Sequence, residues 1–428
     1  MLRGLVRGVG RFAGLLTLLL AGCDGLFGPG GGGDGGGDAD GGVGVDPSCL
    51  QRNLTDALGK TRLLVGAQLD ASLASTAQID IRYLYLAGGV FDSPQPCTSC
   101  TASCSAGGTT CAGAGCGWWG CWQDVSVAPG QYLRNFLNAT QTRSQVPWVT
   151  YYEILQASGG QDGPELVDEV TSVSLMTRYF NDFRFVLQQI GTRRAFFHVE
   201  PDFWGYAQYA NTDPHALPAA VASANSQDCS SQANTVAGMG RCLISMVRKY
   251  APNALVGLHA SAWSTRISVL GNRSASLDVA GEAVKTANFL REVGATRGDF
   301  IVVEASDRDA GYYTSIGRDT WWDATNVSLP SFTQALTWVR TLSDALVLPN
   351  IFWQLPLGNM SLPNTNQRWQ DNRVDYFFAN PSQLVGARTA GMLFGAGQSQ
   401  QTTPGTDNGN MLAKAAAYVQ SGGTPVCP

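Results

Sequence analysis

Four carboxylates that follow apolar segments are the side chains best placed for acid–base chemistry in this chain: Glu153, Glu200, Asp202 and Glu304. Two of them flank Pro201 directly after the apolar run 195–199. A carboxylate at the end of a buried strand costs free energy unless it is paired or functional. Two carboxyl groups facing one site can supply the acid and the base that cleave an acetal. We therefore treat all four as candidate catalytic residues.

Aromatic and polar side chains accompany these carboxylates. The chain has 11 Trp and 13 Tyr, and flat rings of this kind can form a stacking platform for a sugar in a polar cleft. The candidate substrate-binding residues are Tyr152, Trp204, Tyr206, His259, Trp263, Asp307, Trp353 and Gln354.

Several of these residues also have a purely structural interpretation. Asp202 is a good N-cap for a helix after the apolar run. His198 and His259 are compatible with hydrogen-bonded core positions, and Asp307 with a surface ion pair to Arg308. Two tryptophan pairs fit either subsites or local packing: Trp118–Trp119 and Trp321–Trp322.

Eight short apolar runs predict the strands that must position the candidate residues. Near-continuous apolar strands that alternate with helices indicate a parallel sheet buried on both faces. The runs are Leu63–Leu69, Ile79–Leu86, Trp148–Ile154, Ala195–Val199, Leu255–His259, Phe300–Glu304, Ile351–Leu355 and Leu384–Phe394.

Apolar residues spaced three or four apart predict helices between these strands. One such segment spans 166–187, a second 236–250 and a third 332–346. Eight strand–helix units favour an α/β fold of the (β/α)8 barrel type, in which the carboxyl ends of the strands share one mouth. An open doubly wound sheet is the alternative, but no Gly-x-Gly-x-x-Gly follows the first strand.

The composition argues against several classes of function. The net charge is −5 and only 14% of residues are charged, so the basic surface typical of nucleic-acid binding is not expected. The three histidines show neither His-x-His nor His-Glu-x-x-His spacing, so we expect no metal and no cofactor. We expect a monomer with one folded domain at 47–428.

The amino terminus predicts export. Basic residues precede the apolar run 15–20, and small residues lead into Cys23, as in a secretory signal. The Leu-Ala-Gly-Cys sequence resembles a bacterial lipoprotein box, which implies a signal peptide at 1–22, lipidation of Cys23 and attachment to a membrane. The Gly/Asp-rich segment 23–46 is typical of a flexible tether.

Ten cysteines remain besides Cys23, and an exported protein is expected to pair them as disulfides. Six lie at 97–121, an insertion after the second predicted strand, where the irregular spacing favours disulfides over zinc. The remaining four suggest two pairs, Cys49–Cys427 across the ends of the domain and Cys229–Cys242 within a local loop.

From Val146 to Trp263 the order of segments resembles family-6 glycoside hydrolases, with a fainter continuation to Tyr313. Three stretches are similar to the family: "VPWVTYYEIL", "YFNDFRFVLQQIGTRRAFFHVEPDFWG" and "APNALVGLHASAW". The resemblance implies a modified α/β barrel that hydrolyses glycosidic bonds with inversion. It also implies that the Asp of Glu-Pro-Asp, here Asp202, protonates the leaving group.

The sequence also departs from the family. Where the family has Arg-Asp-Cys, this chain has "QASGGQDG", which leaves Glu153 or Asp162 as substitutes. The family's Asp-Ala-Gly-His is reduced to "GLHASAW", and its second essential aspartate has no clear counterpart. Glu304 or Glu153 would then steer the attacking water.

These observations favour a glycoside hydrolase of the cell envelope, anchored by lipid to the outer or inner membrane and acting on a polysaccharide or oligosaccharide. A barrel that only binds glycans is the main alternative. A third hypothesis is a different barrel hydrolase or lyase, with a metal held by Asp and His.

Overall fold

The computed structural model describes residues 47–87, 90, 103–106, 109–112, 130–157 and 163–427. The predicted signal peptide, Cys23 and the tether lie outside these residues, as do Trp118–Trp119, Asp162 and most of the Cys-rich insertion. Among the described residues, no helix combines the length and apolar character needed to cross a bilayer.

Eight parallel strands form a closed barrel, which confirms the predicted fold class. The barrel strands follow one another around the ring in the order β1-β10-β9-β8-β7-β6-β5-β2, and β2 pairs with β1 to close it. An antiparallel hairpin, β3–β4, follows the second strand. The strands are β1 (Leu64–Ala67), β2 (Ile81–Leu86), β3 (Ser103–Ala106), β4 (Thr109–Ala112), β5 (Val146–Tyr151), β6 (Ala195–Val199), β7 (Ala254–Ala260), β8 (Phe300–Glu304), β9 (Asn350–Leu355) and β10 (Thr389–Phe394).

Helices connect the barrel strands and cover the outside of the ring. Two short 3₁₀ helices add to them at Val269–Gly271 and Ala295–Arg297. The α-helices are α1 (Arg52–Ala57), α2 (Ala71–Thr76), α3 (Gln131–Gln141), α4 (Ile154–Ala157), α5 (Leu166–Glu169), α6 (Val173–Ile190), α7 (Pro201–Ala210), α8 (Val236–Tyr250), α9 (Val279–Glu292), α10 (Ala310–Ser315), α11 (Phe332–Leu346), α12 (Arg373–Ala379), α13 (Pro381–Gly386) and α14 (Asn410–Gln420).

Every second strand residue fills the barrel interior, because side chains alternate across a strand. Trp148 of β5 stacks on Phe196 of β6 with ring centroids 5.4 Å apart, and Phe300 of β8 packs against both rings. The alternate residues, such as Val149 and Phe197, join the larger core between the barrel and its helices. This alternation decides which side chains reach the mouth of the barrel.

The structure corrects three predicted boundaries. The run 384–394 is not one strand, because its first residues end α13 and β10 starts at Thr389. Strand β5 stops at Tyr151, and Ile154 begins a helix. The helix predicted at 166–187 is two helices, since Ser172 caps a new helix by accepting a hydrogen bond from the Leu175 N–H.

The described part of the chain contains two disulfides, and both pairings agree with the sequence prediction. Cys49 pairs with Cys427, and Cys229 pairs with Cys242, with Cα–Cα distances of 5.8 and 5.5 Å. In the hairpin, Cys104 lies opposite Cys111 in the antiparallel register.

Removing the Cys49–Cys427 disulfide should destabilise the domain more than removing Cys229–Cys242. The pairs close loops of 378 and 13 residues, and chain-entropy arguments assign them roughly 6 and 3 kcal/mol. Denaturant unfolding of the two double Cys→Ser variants measures both losses under identical conditions. Equal losses, or a larger loss for Cys229→Ser/Cys242→Ser, would contradict the entropic account.

Candidate active site at the mouth of the barrel

The carboxyl ends of the strands surround an open cavity of about 960 Å³, called here the mouth cavity. The fold brings most of the predicted site residues to its wall. The predicted residues that line it are Tyr152, Asp202, Tyr206, His259, Trp263, Glu304, Asp307, Trp353 and Gln354. Three others, Glu153, Glu200 and Trp204, lie outside this lining and are fully buried.

Glu304 is the last residue of β8, and its side chain faces the mouth cavity. Burial raises the pKa of this carboxyl well above its ordinary value, and the negative charges of Asp307 and Asp202 raise it further. Gln354 of β9 donates a hydrogen bond from Nε2 to Glu304 Oε1 at 2.6 Å, which opposes the shift only in part. Glu304 therefore retains its proton beyond the pH range of an ordinary glutamate.

The amide of Gln354 is held in place from two sides. Its backbone has a φ of 55°, a conformation that is uncommon for a residue other than glycine. On the other side Gly397 packs directly against the amide, and a Cβ at that position would overlap Gln354 Nε2 and the carbonyl oxygen of Asp307. Both features fix the position of the Gln354 Nε2–H group, which donates the hydrogen bond to Glu304.

Asp202 approaches the mouth cavity from the first turn of α7. The hydroxyl of Tyr152, just beyond β5, donates a hydrogen bond to Asp202 Oδ2 at 2.7 Å. A hydrogen bond of this kind stabilises the charged form of a carboxylate. The negative charge of Asp202 is itself one of the causes that raise the pKa of Glu304, so the two carboxyl groups are electrostatically coupled.

Asp307 lies in the loop after β8 and forms an ion pair with Arg308, as the structural interpretation anticipated, but it also lines the cavity. Tyr313 donates a hydrogen bond from its hydroxyl to Asp307 Oδ1 at 2.5 Å. Asp307 therefore has cationic and hydroxyl partners before any ligand binds.

Glu200 is directed away from the cavity by its own backbone. Its φ of 47° is left-handed, which ends the strand alternation that would otherwise place it beside His198. Its carboxyl accepts hydrogen bonds from the N–H groups of Glu153 and Ile154 at 3.1 and 3.3 Å. Glu200 thus holds the segment after β5, which carries Tyr152, in position. Burial raises its pKa from an ordinary 4.5 to about 8.

Trp204 belongs to the packing beneath α7. Its Nε1–H donates to the carbonyl oxygen of Val199 at 2.9 Å, and its ring packs edge-on against Phe203. This ring therefore joins the helix to β6, and it is not part of the cavity wall.

Aromatic rings form much of the cavity wall. Tyr206 and Trp263 lie 4.6 Å apart between ring centroids, and Tyr85 and Trp353 lie 5.4 Å apart. Sequence reasoning missed Tyr85, although it keeps the period of two from the interior residue Tyr83. It also missed several lining residues contributed by α10, by loops and by α12, which no periodicity signals: Tyr313, Arg318, Thr320 and Arg373.

A buried carboxylate pair anchors the loops around the mouth. Asp309 accepts hydrogen bonds from the N–H groups of Gly358 and Thr402, both at 2.8 Å. Asp371 accepts from the N–H of Ala310 and forms an ion pair with Arg373 at 2.7 Å. Burial, together with the charge of Asp371, raises the pKa of Asp309 to about 7. These contacts join the segments that follow β8, β9 and β10.

Metal-ligating side chains do not converge within the described ranges, where no three His, Cys, Asp or Glu are arranged to hold an ion. Carboxyl groups, hydroxyls and aromatic rings line the mouth cavity.

No protein-family model matches the sequence, and no curated protein matches it. Solved structures with similar coordinates include a modular endo-β-1,4-mannanase from Cellulomonas fimi, with a TM-score of 0.47, 12% identity, and coverage of 88% of this chain and 75% of that chain. A family 5 xyloglucanase from Bacteroides ovatus gives a TM-score of 0.45, 11% identity, and 82% and 68% coverage.

The endoglucanase Cel6 from Mycobacterium tuberculosis gives a TM-score of 0.29 at 15% identity, covering 52% of this chain and 56% of that chain. It is a member of the family that the sequence resembles.

The stability of the domain should fall as the pH rises from about 6.5 to 8. A carboxyl whose folded pKa lies above its unfolded value binds a proton that the unfolded chain has lost, so raising the pH favours unfolding. Glu200, with a folded pKa of about 8, contributes a slope of up to about 1.4 kcal/mol per pH unit. Glu304 and Asp309 act with the same sign. His198 and His259, whose pKa values are lowered by burial, act with the opposite sign below about pH 6.5.

Glu200→Gln keeps the shape of the protonated side chain and should remove its part of this slope. Urea unfolding free energies at pH 5, 6, 7 and 8 measure the effect, with the exposed Glu292→Gln as the matched control. The variant should gain stability relative to the native protein as the pH rises. Parallel curves for the two proteins would contradict the burial of an ionisable proton at Glu200.

Proposed function

We propose that this chain is a glycoside hydrolase that cleaves a polysaccharide or oligosaccharide by acid–base catalysis with two carboxyl groups. The observation that carries the proposal is that Asp202 and Glu304, from different strand–helix units, face one cavity and are coupled electrostatically. Most glycoside hydrolases use two carboxyl groups that flank the bond that breaks, one of them protonated and the other charged.

The environments of the two groups support a division of roles. Glu304, whose pKa is raised by burial and by neighbouring negative charge, would hold the proton for the leaving-group oxygen. Asp202, which accepts the Tyr152 hydroxyl, would remain charged and act on water or on the anomeric carbon. This assignment reverses the roles that the family resemblance implies, in which Asp202 is the acid. A carboxyl whose pKa is raised by its surroundings commonly serves as the acid of such a pair.

The rest of the cavity wall suits a carbohydrate. Tyr206 and Trp263, whose rings are tilted at 51° to each other, offer apolar ring faces. The wall of the cavity also carries polar side chains such as Gln354 and Ser261. A polyol with apolar ring faces and many hydroxyls matches this combination.

The cellular location belongs to the same proposal. The predicted signal sequence and the Cys23 motif support export, lipidation and attachment to the outer or inner membrane of the cell envelope. The disulfides Cys49–Cys427 and Cys229–Cys242 support an oxidising compartment.

Release of reducing sugar from a panel of glucans, mannans, xylans and other glycans tests the activity. We expect the native protein to hydrolyse at least one of them, and Asp202→Asn and Glu304→Gln to be strongly impaired. Glu292→Gln, which replaces an exposed carboxylate outside the cavity, should be unaffected. Saturable glycan binding without hydrolysis would instead favour the non-catalytic glycan-binding barrel, and equal activity in all variants would refute the carboxylate assignment.

A further inference from the structure

A chain of hydrogen bonds runs through the barrel interior to the mouth cavity. Trp148 Nε1 and Thr150 Oγ1 lie 2.9 Å apart, and Thr150 Oγ1 lies 3.3 Å from His198 Nδ1. His198 Nε2 then lies 3.2 Å from Nδ1 of His259. Trp148, Thr150 and His198 are fully buried, and His259, which is 2% exposed, lines the cavity.

The direction of this chain follows from the chemistry of its first member. An indole N–H can only donate, so Thr150 accepts from Trp148. Among the described residues, His198 is the one other hydrogen-bond partner of the buried Thr150 hydroxyl. Leaving the hydroxyl proton without an acceptor would cost free energy. Thr150 therefore donates to His198 Nδ1, and His198 carries its proton on Nε2.

The same reasoning extends to the last histidine. His198 Nε2–H donates to His259 Nδ1, so the proton of His259 resides on Nε2. Within the described residues, His259 has no further hydrogen bond. Its Nε2–H is the donor available to a molecule in the mouth cavity.

Both histidines are held neutral, which keeps this arrangement intact. Burial lowers the pKa of His259 to about 3, and burial together with the neighbouring His259 lowers the pKa of His198 well below its ordinary value. Trp353 packs edge-on against both rings, at centroid distances of 4.8 and 5.8 Å. The packing fixes the ring planes, and the hydrogen bonds fix the tautomers.

We propose that His259 binds the substrate by donating a hydrogen bond from Nε2 to a hydroxyl of the glycan, and that Trp148, Thr150 and His198 are positioning residues that fix its tautomer. The inference rests on the proposed function, since it names the group that the mouth cavity offers to a sugar hydroxyl. His259 would thus offer a neutral donor from this wall of the cavity, to a substrate that Glu304 approaches as the acid and Asp202 as its charged partner.

Nitrogen NMR of protein with ¹⁵N-labelled histidines tests this chain of hydrogen bonds, called here the histidine relay, without any substrate. The chain has three histidines, and the exposed His215 serves as the reference. We expect His198 and His259 to carry their protons on Nε2 and to stay neutral down to a pH well below that of ordinary histidines. Thr150→Val should disturb the tautomer of His198, whereas Thr150→Ser should preserve it. A proton on Nδ1 of either native histidine would overturn the relay.

Kinetics on a hydrolysed glycan test the binding role. His259→Phe keeps the ring but removes the donor, and kcat/KM should fall roughly tenfold or more. His259→Gln places an amide N–H near the position of Nε2 and should recover part of the loss. The Thr150 variants should follow the order of the NMR result, with a smaller loss for Val and none for Ser.

The outcomes separate the two proposals. An active native enzyme whose kcat/KM is unchanged in His259→Phe refutes the donor role and leaves the proposed function standing. A native protein that neither hydrolyses nor binds any glycan overturns the proposed function and the donor role together, while the NMR result still decides the relay.

Discussion

Glu304→Gln should lower kcat on unactivated glycans by about a thousandfold, within the range of 10²–10⁴ typical of a general acid or base. Gln has nearly the same shape, and the packing around β8 and Gln354 should be retained, so KM should change little. The native rate should persist at pH values at which an ordinary glutamic acid has lost its proton. It should then decline as the pH rises through the raised pKa of Glu304. That decline should be missing in the variant.

Leaving-group chemistry distinguishes the acid from its partner. An aryl glycoside with a highly activated leaving group needs no protonation, so Glu304→Gln should hydrolyse it at close to the native rate for the bond-breaking step. Asp202→Asn should remain impaired on the same substrate, since its role is on the other side of the sugar. If Asp202→Asn is the rescued variant, the two roles are exchanged and the assignment implied by the family resemblance is correct.

Arg373→Met should destabilise the domain by about 3–5 kcal/mol, the cost of leaving a buried charge without its partner. Arg373 is almost fully buried; it pairs with Asp371, donates to the carbonyl oxygen of Thr320 at 2.9 Å and packs over the ring of Trp322. Met retains the apolar stem but leaves Asp371 uncompensated among the mouth loops. Urea unfolding at pH 7 measures the loss.

The matched control for this variant is Arg340→Met. Arg340 forms an exposed ion pair with Asp344, and exposed pairs contribute less than about 1 kcal/mol. A loss at Arg373 as small as that at Arg340 would show that the buried pair does not hold the loops that surround the cavity.

The strands were predictable because each lies in a near-continuous apolar run, and all eight runs contain a barrel strand. Phe300 and Val302 lie in the barrel interior, so the alternation along β8 continues to Glu304 at the cavity. The same alternation would have identified Tyr85 from Tyr83. The alternation of side chains was sufficient to predict a cavity residue wherever the strand kept its regular geometry to its last residue.

Glu200 shows where this reasoning stops. Its position after His198 suggests an inward side chain, but its left-handed φ turns the carboxyl to the backbone of Glu153 and Ile154. One dihedral angle decides between a cavity residue and a structural anchor, and neighbouring residue types do not reveal it. Arg373 was missed for a different reason, since a helix far along the chain reaches the cavity only through the tertiary fold.

The described part of the chain begins and ends at the side of the barrel opposite the mouth cavity. The segment before β1 pairs with residues 424–426 through backbone hydrogen bonds, and Cys49 is joined to Cys427 there. Adjacent termini remote from the cleft favour circular permutation. The chain could therefore be opened in a loop on the outside of the barrel after its present ends are joined. A partner domain could also be fused after Cys427 without obstructing the access of a long polymer to the cleft.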